Sequence, residues 1–268
     1  MTVKRIRSGR GHRYTVDGES IPGVTTVLRQ LAPGKGLRNF PAKAAAEYAL
    51  NHWTELRKMQ PGDRYNALLT AHFQVSSAAA KRGTEVHRLC EMLVDAEDGE
   101  GPEVPDELAG HVEAYRDWYD SVRPVTIATE LVVANRTHRY CGTADLIADL
   151  PAVVVEAELI PPSRWLLDLK TTRTGIWPET ALQLCGYQHA EVFVDPDNPD
   201  DERFVDWLQI DRCGAIWIKS DAVELRPLET GPEVWETFLH LRALHDQVEA
   251  MPGWVGMSAG LAEHAITA

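Results

Sequence analysis

Apolar and polar positions recur at two periods along this chain, and the switch between them divides it into stretches of helix and sheet. Arg13 to Gly23 (RYTVDGESIPG) alternates around Asp17-Gly18, a pair suited to a tight turn, so a short hairpin is predicted there. From Val24 (VTTVLRQL) the spacing becomes helical, with threonines as caps and a stop before Pro33-Gly34. Ala42 to Leu56 is Ala-rich and reads as a second helix. Arg64 to Ala96 contains two apolar-periodic stretches, the later one with Ala79, Val86, Cys90 and Leu93 at roughly helical spacing. An acidic, Gly- and Pro-rich linker (DAEDGEGPEVPDE) follows.

After a helix over about Leu108 to Ser121 the pattern turns to strands: Thr126 to Ala134, Arg139 to Leu150, Ala152 to Glu156 and Arg164 to Thr171, with a turn near Asn135-Arg136. Pro178 to Phe193 reads as helix, with Pro178 early in it and Glu179 complementing its N-terminus. VDPDNPDDE, from Val194, reads as a solvated turn. Phe204 to Ile210 and Ala215 to Lys219 are predicted strands, and Pro232 to Ala250 the closing helix, with the tail after Pro252 unassigned. This order predicts an α+β chain with a central mixed β-sheet flanked by helices and an N-terminal helical extension. Residues 1–75 form the hairpin and basic helical region, and residues 76–268 the core, most simply within one domain.

Composition narrows the class. The 268 residues are 44% hydrophobic and 25% charged, an ordinary globular balance that excludes collagen-like and disordered architectures. The start, MTVKRIRSGRGHRY, is basic but has no apolar stretch behind it, so no secretory signal is read and the chain is expected to begin here. No run is long and apolar enough for a membrane span. Cys90, Cys141, Cys185 and Cys213 form no CxxC pair, which predicts buried thiols, a cytoplasmic (intracellular) setting and no iron–sulfur cluster. The net charge of −13 argues against a simple nucleic-acid coat. Residues 1–90, however, hold 15 Lys and Arg against 6 Asp and Glu, a net of +9, whereas residues 91–268 hold 12 against 34, a net of −22. Such asymmetry suits either a basic face for a polyanion or an uneven spread of surface charge.

Four small patterns carry candidate chemistry. In Asp168-Leu169-Lys170, strand spacing puts carboxylate and ammonium on one side, as an ion pair or as a metal ligand beside a cation. In Gly142-Thr143-Ala144-Asp145-Leu146-Ile147, Asp145 sits among apolar residues, where a carboxylate needs a partner or a cation, unless it only caps a turn. Gly83 and His87 lie on a predicted helix, with Glu91 one turn on; a lone helix histidine is more often a packing or surface residue than a ligand. Gln183 and Tyr187 share a helix face at i,i+4, the usual arrangement of a packing hydrogen bond.

In this order the four patterns resemble the PD-(D/E)XK nuclease superfamily, and its RecB-like, phage-type exonuclease branch in particular: GxxxH (Gly83, His87), GxxDLI (Gly142, Asp145), DxK (Asp168, Lys170) and QxxxY (Gln183, Tyr187). Ile21 to Leu28 (IPGVTTVL) resembles the opening of phage-type members. The resemblance implies a restriction-endonuclease-like core and a divalent-metal-dependent DNA nuclease leaving 5′-phosphates, in recombination, repair or phage DNA processing. It implies Mg²⁺ or Mn²⁺ held by His87, Asp145, Asp168 and the carbonyl of Leu169, with Lys170 acting on the attacking water, Gln183 and Tyr187 supporting it, and Glu130 as a further acidic position. Implied partners are DNA and a recombination or single-strand-binding protein, with an oligomer left open. Ala152 to Pro162 departs from the pattern as an insertion between the two aspartates. A catalytically inactive DNA-binding or assembly module, and a structural protein whose carboxylates do not converge, are the alternatives.

Overall fold

In the computed structural model, which describes residues 3–8, 11–31, 35–95, 101–195 and 198–254, the basic opening is itself a strand, β1 (Val3–Ser8), paired antiparallel with β2 (Gly11–Val16). Asp17 and Gly18 take φ of +52° and +85°, the backbone of a two-residue hairpin turn, and lead into β3 (Glu19–Ile21). Nothing lies within 4 Å of a Cβ added at Gly18, so Gly18→Ala meets only the backbone penalty of a positive φ. It should cost about 1 kcal/mol, read as a lower urea midpoint at unchanged m-value.

Two expectations for the helical region are corrected. The turn of helix α1 (Val24–Leu28) is capped at Gly23 with no threonine side-chain bond. The predicted second helix is two, α2 (Lys35–Asn51) and α3 (Trp53–Leu56), broken at His52. The two apolar stretches from Arg64 belong to one helix, α4 (Pro61–Asp95), which passes unbroken through residues 75 and 76. Residues 96–100 of the acidic linker lie outside the described residues, and α5 (Asp106–Val122) follows.

The main sheet comprises β4 (Val125–Asn135), β5 (Tyr140–Leu150), β8 (Ser163–Lys170), β9 (Val192–Asp195), β10 (Asn198–Phe204), β11 (Arg212–Ile218) and β12 (Val223–Leu228). Their order is β10-β9-β4-β5-β8-β11-β12; only β8 and β11 run parallel, so the sheet is mixed as expected. The insertion folds as a separate ribbon of β6 (Val153–Val155) and β7 (Glu158–Ile160), and so the segment Ala152 to Glu156 does not extend the main sheet. Helix α6 (Glu179–Gln188) ends before the predicted Phe193, because Val192 and Val194 pair with β4 as buried strand residues. The acidic stretch from Val194 is therefore a β9–β10 hairpin rather than a turn, with residues 196–197 outside the described set. The predicted strand at Phe204 to Ile210 is a 3₁₀ turn, Val205–Leu208: its two buried side chains, Val205 and Leu208, are three apart, which suits one face of that helix. The closing helix α7 (Pro232–Ala250) matches its predicted span; the tail from residue 255 lies outside the described residues.

Alternation along the strands sends side chains to two cores. Ile147, Leu166 and Tyr140 meet Leu184 of α6, Phe238 of α7 and Val24 of α1 on one face, and Trp165, Leu167 and Ile216 meet Val86, Leu89 and Tyr115 of α4 and α5 on the other. Val3, Tyr14 and Ile21 seat the N-terminal sheet on Val132, Ala134 and Val194. The result is a large mixed sheet flanked by helices. All four cysteines are buried and unpaired, and burial pushes each thiol up to about 12. Among the described residues no helix is long and apolar enough to cross a membrane.

Candidate active site

Strand register brings the acidic residues together. The β5–β8 ladder ends at Leu146 facing Leu167, and Asp145 and Asp168 are the next residues on their strands just beyond that end. On the other side of β5, Thr129 faces Leu146 and Leu131 faces Ala144, which puts Glu130 across from Asp145. Three carboxylates on three adjacent strands thus lie in a row along the sheet. Glu130 takes φ of +51°, a local departure from strand backbone.

Helix α6 covers this row. Asp168 is 1% exposed and forms an ion pair with Lys170, as strand spacing predicts for residues two apart. Gln183 bridges the pair: its Nε2 donates to Asp168 Oδ1 at 2.8 Å and its Oε1 accepts from Lys170 Nζ at 3.3 Å. The same Nε2 lies 3.1 Å from the Tyr187 hydroxyl, so the i,i+4 pair does share one face. The Tyr187 ring rests on Gly142, where a Cβ would stand 2.2 Å from ring carbon Cε1. The glycine of GxxD is therefore needed for this close approach.

From the other side α4 supplies His87. Its Nδ1 is 3.8 Å from Asp145 Oδ2, which also accepts the Leu169 backbone N–H at 2.9 Å. A Cβ at Gly83, one turn earlier, would stand 3.1 Å from Thr171 Oγ1, so a glycine there lets α4 lie close to the end of β8. Burial, and then the adjacent Asp168 carboxylate, raise the Asp145 carboxyl well above the usual range. For Lys170 burial acts downward, but Asp168 and Asp145 outweigh it and hold the ammonium above its ordinary value. Burial lowers the His87 imidazole despite the opposing pull of Asp168.

Two contributors have no local signal in the sequence. Arg5 of β1 donates to Glu130 Oε2 at 2.7 Å and to Thr143 Oγ1 at 3.3 Å, and the Tyr14 hydroxyl lies 2.9 Å from the same Thr143 oxygen. Arg5 and Glu130 are 125 residues apart, so only the docking of the N-terminal sheet joins them. The basic opening is thereby split: Arg5 turns inward to the acidic row, whereas Lys4 and Arg13 are exposed on the opposite face of the hairpin. Arg10 lies outside the described residues.

A divalent cation is tested by the donors present. Asp168 Oδ2 is buried and receives no hydrogen bond; the Lys170 ammonium is against it as an ion pair but without hydrogen-bond geometry. Among the described residues no three His, Cys, Asp or Glu side chains close into a metal cage. Lys170 supplies, beside Asp168, the positive charge that an ion would otherwise bring. The carboxylates of Asp145 and Asp168 with the His87 imidazole are the hard, oxygen-rich set that suits Mg²⁺ or Mn²⁺, and Asp168 Oδ2, held by the Lys170 ammonium, would have to exchange that partner for an ion or share it. The sequence matches no family model, and no curated protein matches it significantly.

Proposed function

We propose that this chain is a divalent-metal-dependent deoxyribonuclease with a restriction-endonuclease-like core, a RecB-like exonuclease that hydrolyses phosphodiester bonds to leave 5′-phosphates. The observation that carries this reading is the convergence of two linked contacts from two helices and two strands: Gln183 and Lys170 on the buried Asp168 carboxylate, and His87 beside Asp145, whose carboxyl feels the Asp168 charge. A structural ion pair alone requires neither the second buried aspartate nor the histidine beside it.

Asp145, Asp168, His87 and the Leu169 carbonyl would hold Mg²⁺ or Mn²⁺. When bound, such an ion neutralises charge on the scissile phosphate and lowers the pKa of its water. Lys170 orients the attacking water and offsets charge developing on the phosphorus oxygens. Gln183 fixes Lys170 relative to Asp168 through two bonds of opposite polarity, and Tyr187 holds Gln183 from below. A groove lined by Arg5, His12, Thr84, His87, Arg88, Glu91 and Glu130 opens beside the row, with Arg5 paired to Glu130 and Arg88 to Glu85. A role in DNA recombination, repair or phage DNA processing in a cytoplasm, with a recombination or single-strand-binding partner, belongs to the same reading.

Purified protein is expected to degrade linear DNA when Mn²⁺ or Mg²⁺ is supplied, to stop with excess EDTA, and to resume when metal is restored. Degradation that continues unchanged in EDTA would exclude this mechanism.

A further inference from the structure

The long helix α4 carries a second feature that the acidic row does not use. Tyr65, Leu69 and Phe73 are 65%, 54% and 61% exposed, a large apolar investment for one solvent-facing stretch. At 100° per residue they share one side of α4 with Ser76, Ala80 and His87. The stripe therefore runs into the candidate active site along one helix face, first aromatic and then small. With a rise of 1.5 Å per residue, Phe73 lies about 21 Å and Tyr65 about 33 Å from His87 along the axis. From Arg57 to Arg88 the chain has six Lys and Arg against two acids, and Arg57, Lys58 and Lys81 are exposed.

We infer that this face of α4 is a track for single-stranded DNA, with bases stacked on Tyr65 and Phe73 several nucleotides away from the phosphate at Asp168. The inference rests on the nuclease reading above and adds a strand preference to it. Aromatic rings give stacking surfaces for any base, the local cations attract the backbone, and the small residues Ser76 and Ala80 leave room for a strand to reach His87. A protein partner would find the same apolar side chains, but the positive excess and the continuity with the acidic row favour a polyanion that ends there.

The test is fluorescence anisotropy of the full chain in EDTA with a labelled oligo(dT) single strand and, separately, a blunt duplex. Tyr65→Ala and Phe73→Ala should each weaken single-strand binding by about fivefold or more and together by more than either alone. Both positions are exposed, so circular dichroism and melting should be unchanged. Phe73→Trp should retain affinity and Phe73→Leu should not, which separates stacking from general apolar contact. No measurable single-strand binding, or unchanged binding in the double variant, overturns the inference. So does a double variant whose only effect is to change the oligomeric state in sedimentation, which would make the face a contact between copies of this chain. Failure of the nuclease reading looks different: no cleavage with Mn²⁺, while the oligonucleotide still binds through Tyr65 and Phe73.

Discussion

Replacement of Asp168 by asparagine is expected to reduce metal-dependent DNA cleavage by roughly three orders of magnitude or more, since a ligand to the metal provides several kcal/mol of transition-state stabilisation. The substitution is chosen to separate chemistry from folding. Asparagine keeps the shape of a side chain that is 1% exposed, and its Oδ1 can still accept from Gln183 Nε2. Lys170 loses one carboxylate neighbour but keeps Asp145, the second charge acting on it. The fold should therefore survive, and circular dichroism with a thermal melt verifies that. Lys170→Met is the companion variant: it removes the ammonium and leaves the carboxylates, so it should lose cleavage while still binding Mn²⁺. Calorimetric Mn²⁺ titration beside single-turnover cleavage distinguishes the two, with Asp168→Asn losing both signals and Lys170→Met only the second. Parent-like cleavage in a well-purified Asp168→Asn protein would overturn the proposed function.

Gly142→Ala should be the most damaging single methyl group that can be added near the site. The new Cβ would stand 2.2 Å and 2.8 Å from two carbons of the Tyr187 ring, which is itself 4% exposed and held between the sheet and α6. A buried ring cannot swing away as a surface lysine can, so either α6 lifts or the ring leaves its rotamer. A destabilisation of about 3 kcal/mol is expected, or a fall of roughly 6–12 °C in melting temperature for a chain of this size. Cleavage should fall as well, because Tyr187 holds Gln183 and Gln183 holds the Asp168–Lys170 pair. Tyr187→Leu in the same background should recover part of the lost stability without recovering activity. A double-mutant cycle gives the coupling between the two positions. If Gly142→Ala melts with the parent, the glycine serves some other purpose than the close packing of Tyr187.

Much of the candidate site was legible because its members are bound by local spacing. Strand alternation placed Asp168 with Lys170, and helical i,i+4 spacing placed Gln183 with Tyr187; both pairs are in contact. Elements with one dominant period were legible too: β4, β5, β8, α5 and α7 lie close to their predicted spans. The misreadings share a cause. Val192 to Val194, the acidic hairpin after it and the turn at Val205–Leu208 are short segments whose state is decided by what they pack against. Val192 and Val194 are strand because β4 offers a free edge beside them, and that edge lies more than 50 residues away in sequence.

What the sequence by itself determined is the set of chemical groups, their pairing within each element and the mixed helix-and-sheet class. Only the tertiary structure decided which groups share a site. Asp145 and Asp168 stand just beyond a ladder register set across a long insertion, and that insertion folds as its own ribbon with Ile160 seated in the core. His87 reaches them because Gly83 lets a helix approach the end of β8. Arg5 leaves the basic opening to hold Glu130, and the stripe of Tyr65, Leu69 and Phe73 stays exposed because no described element covers it. The physical reason is the same in each case: local periodicity determines which face of an element a side chain occupies, but long-range packing and register determine what that face meets.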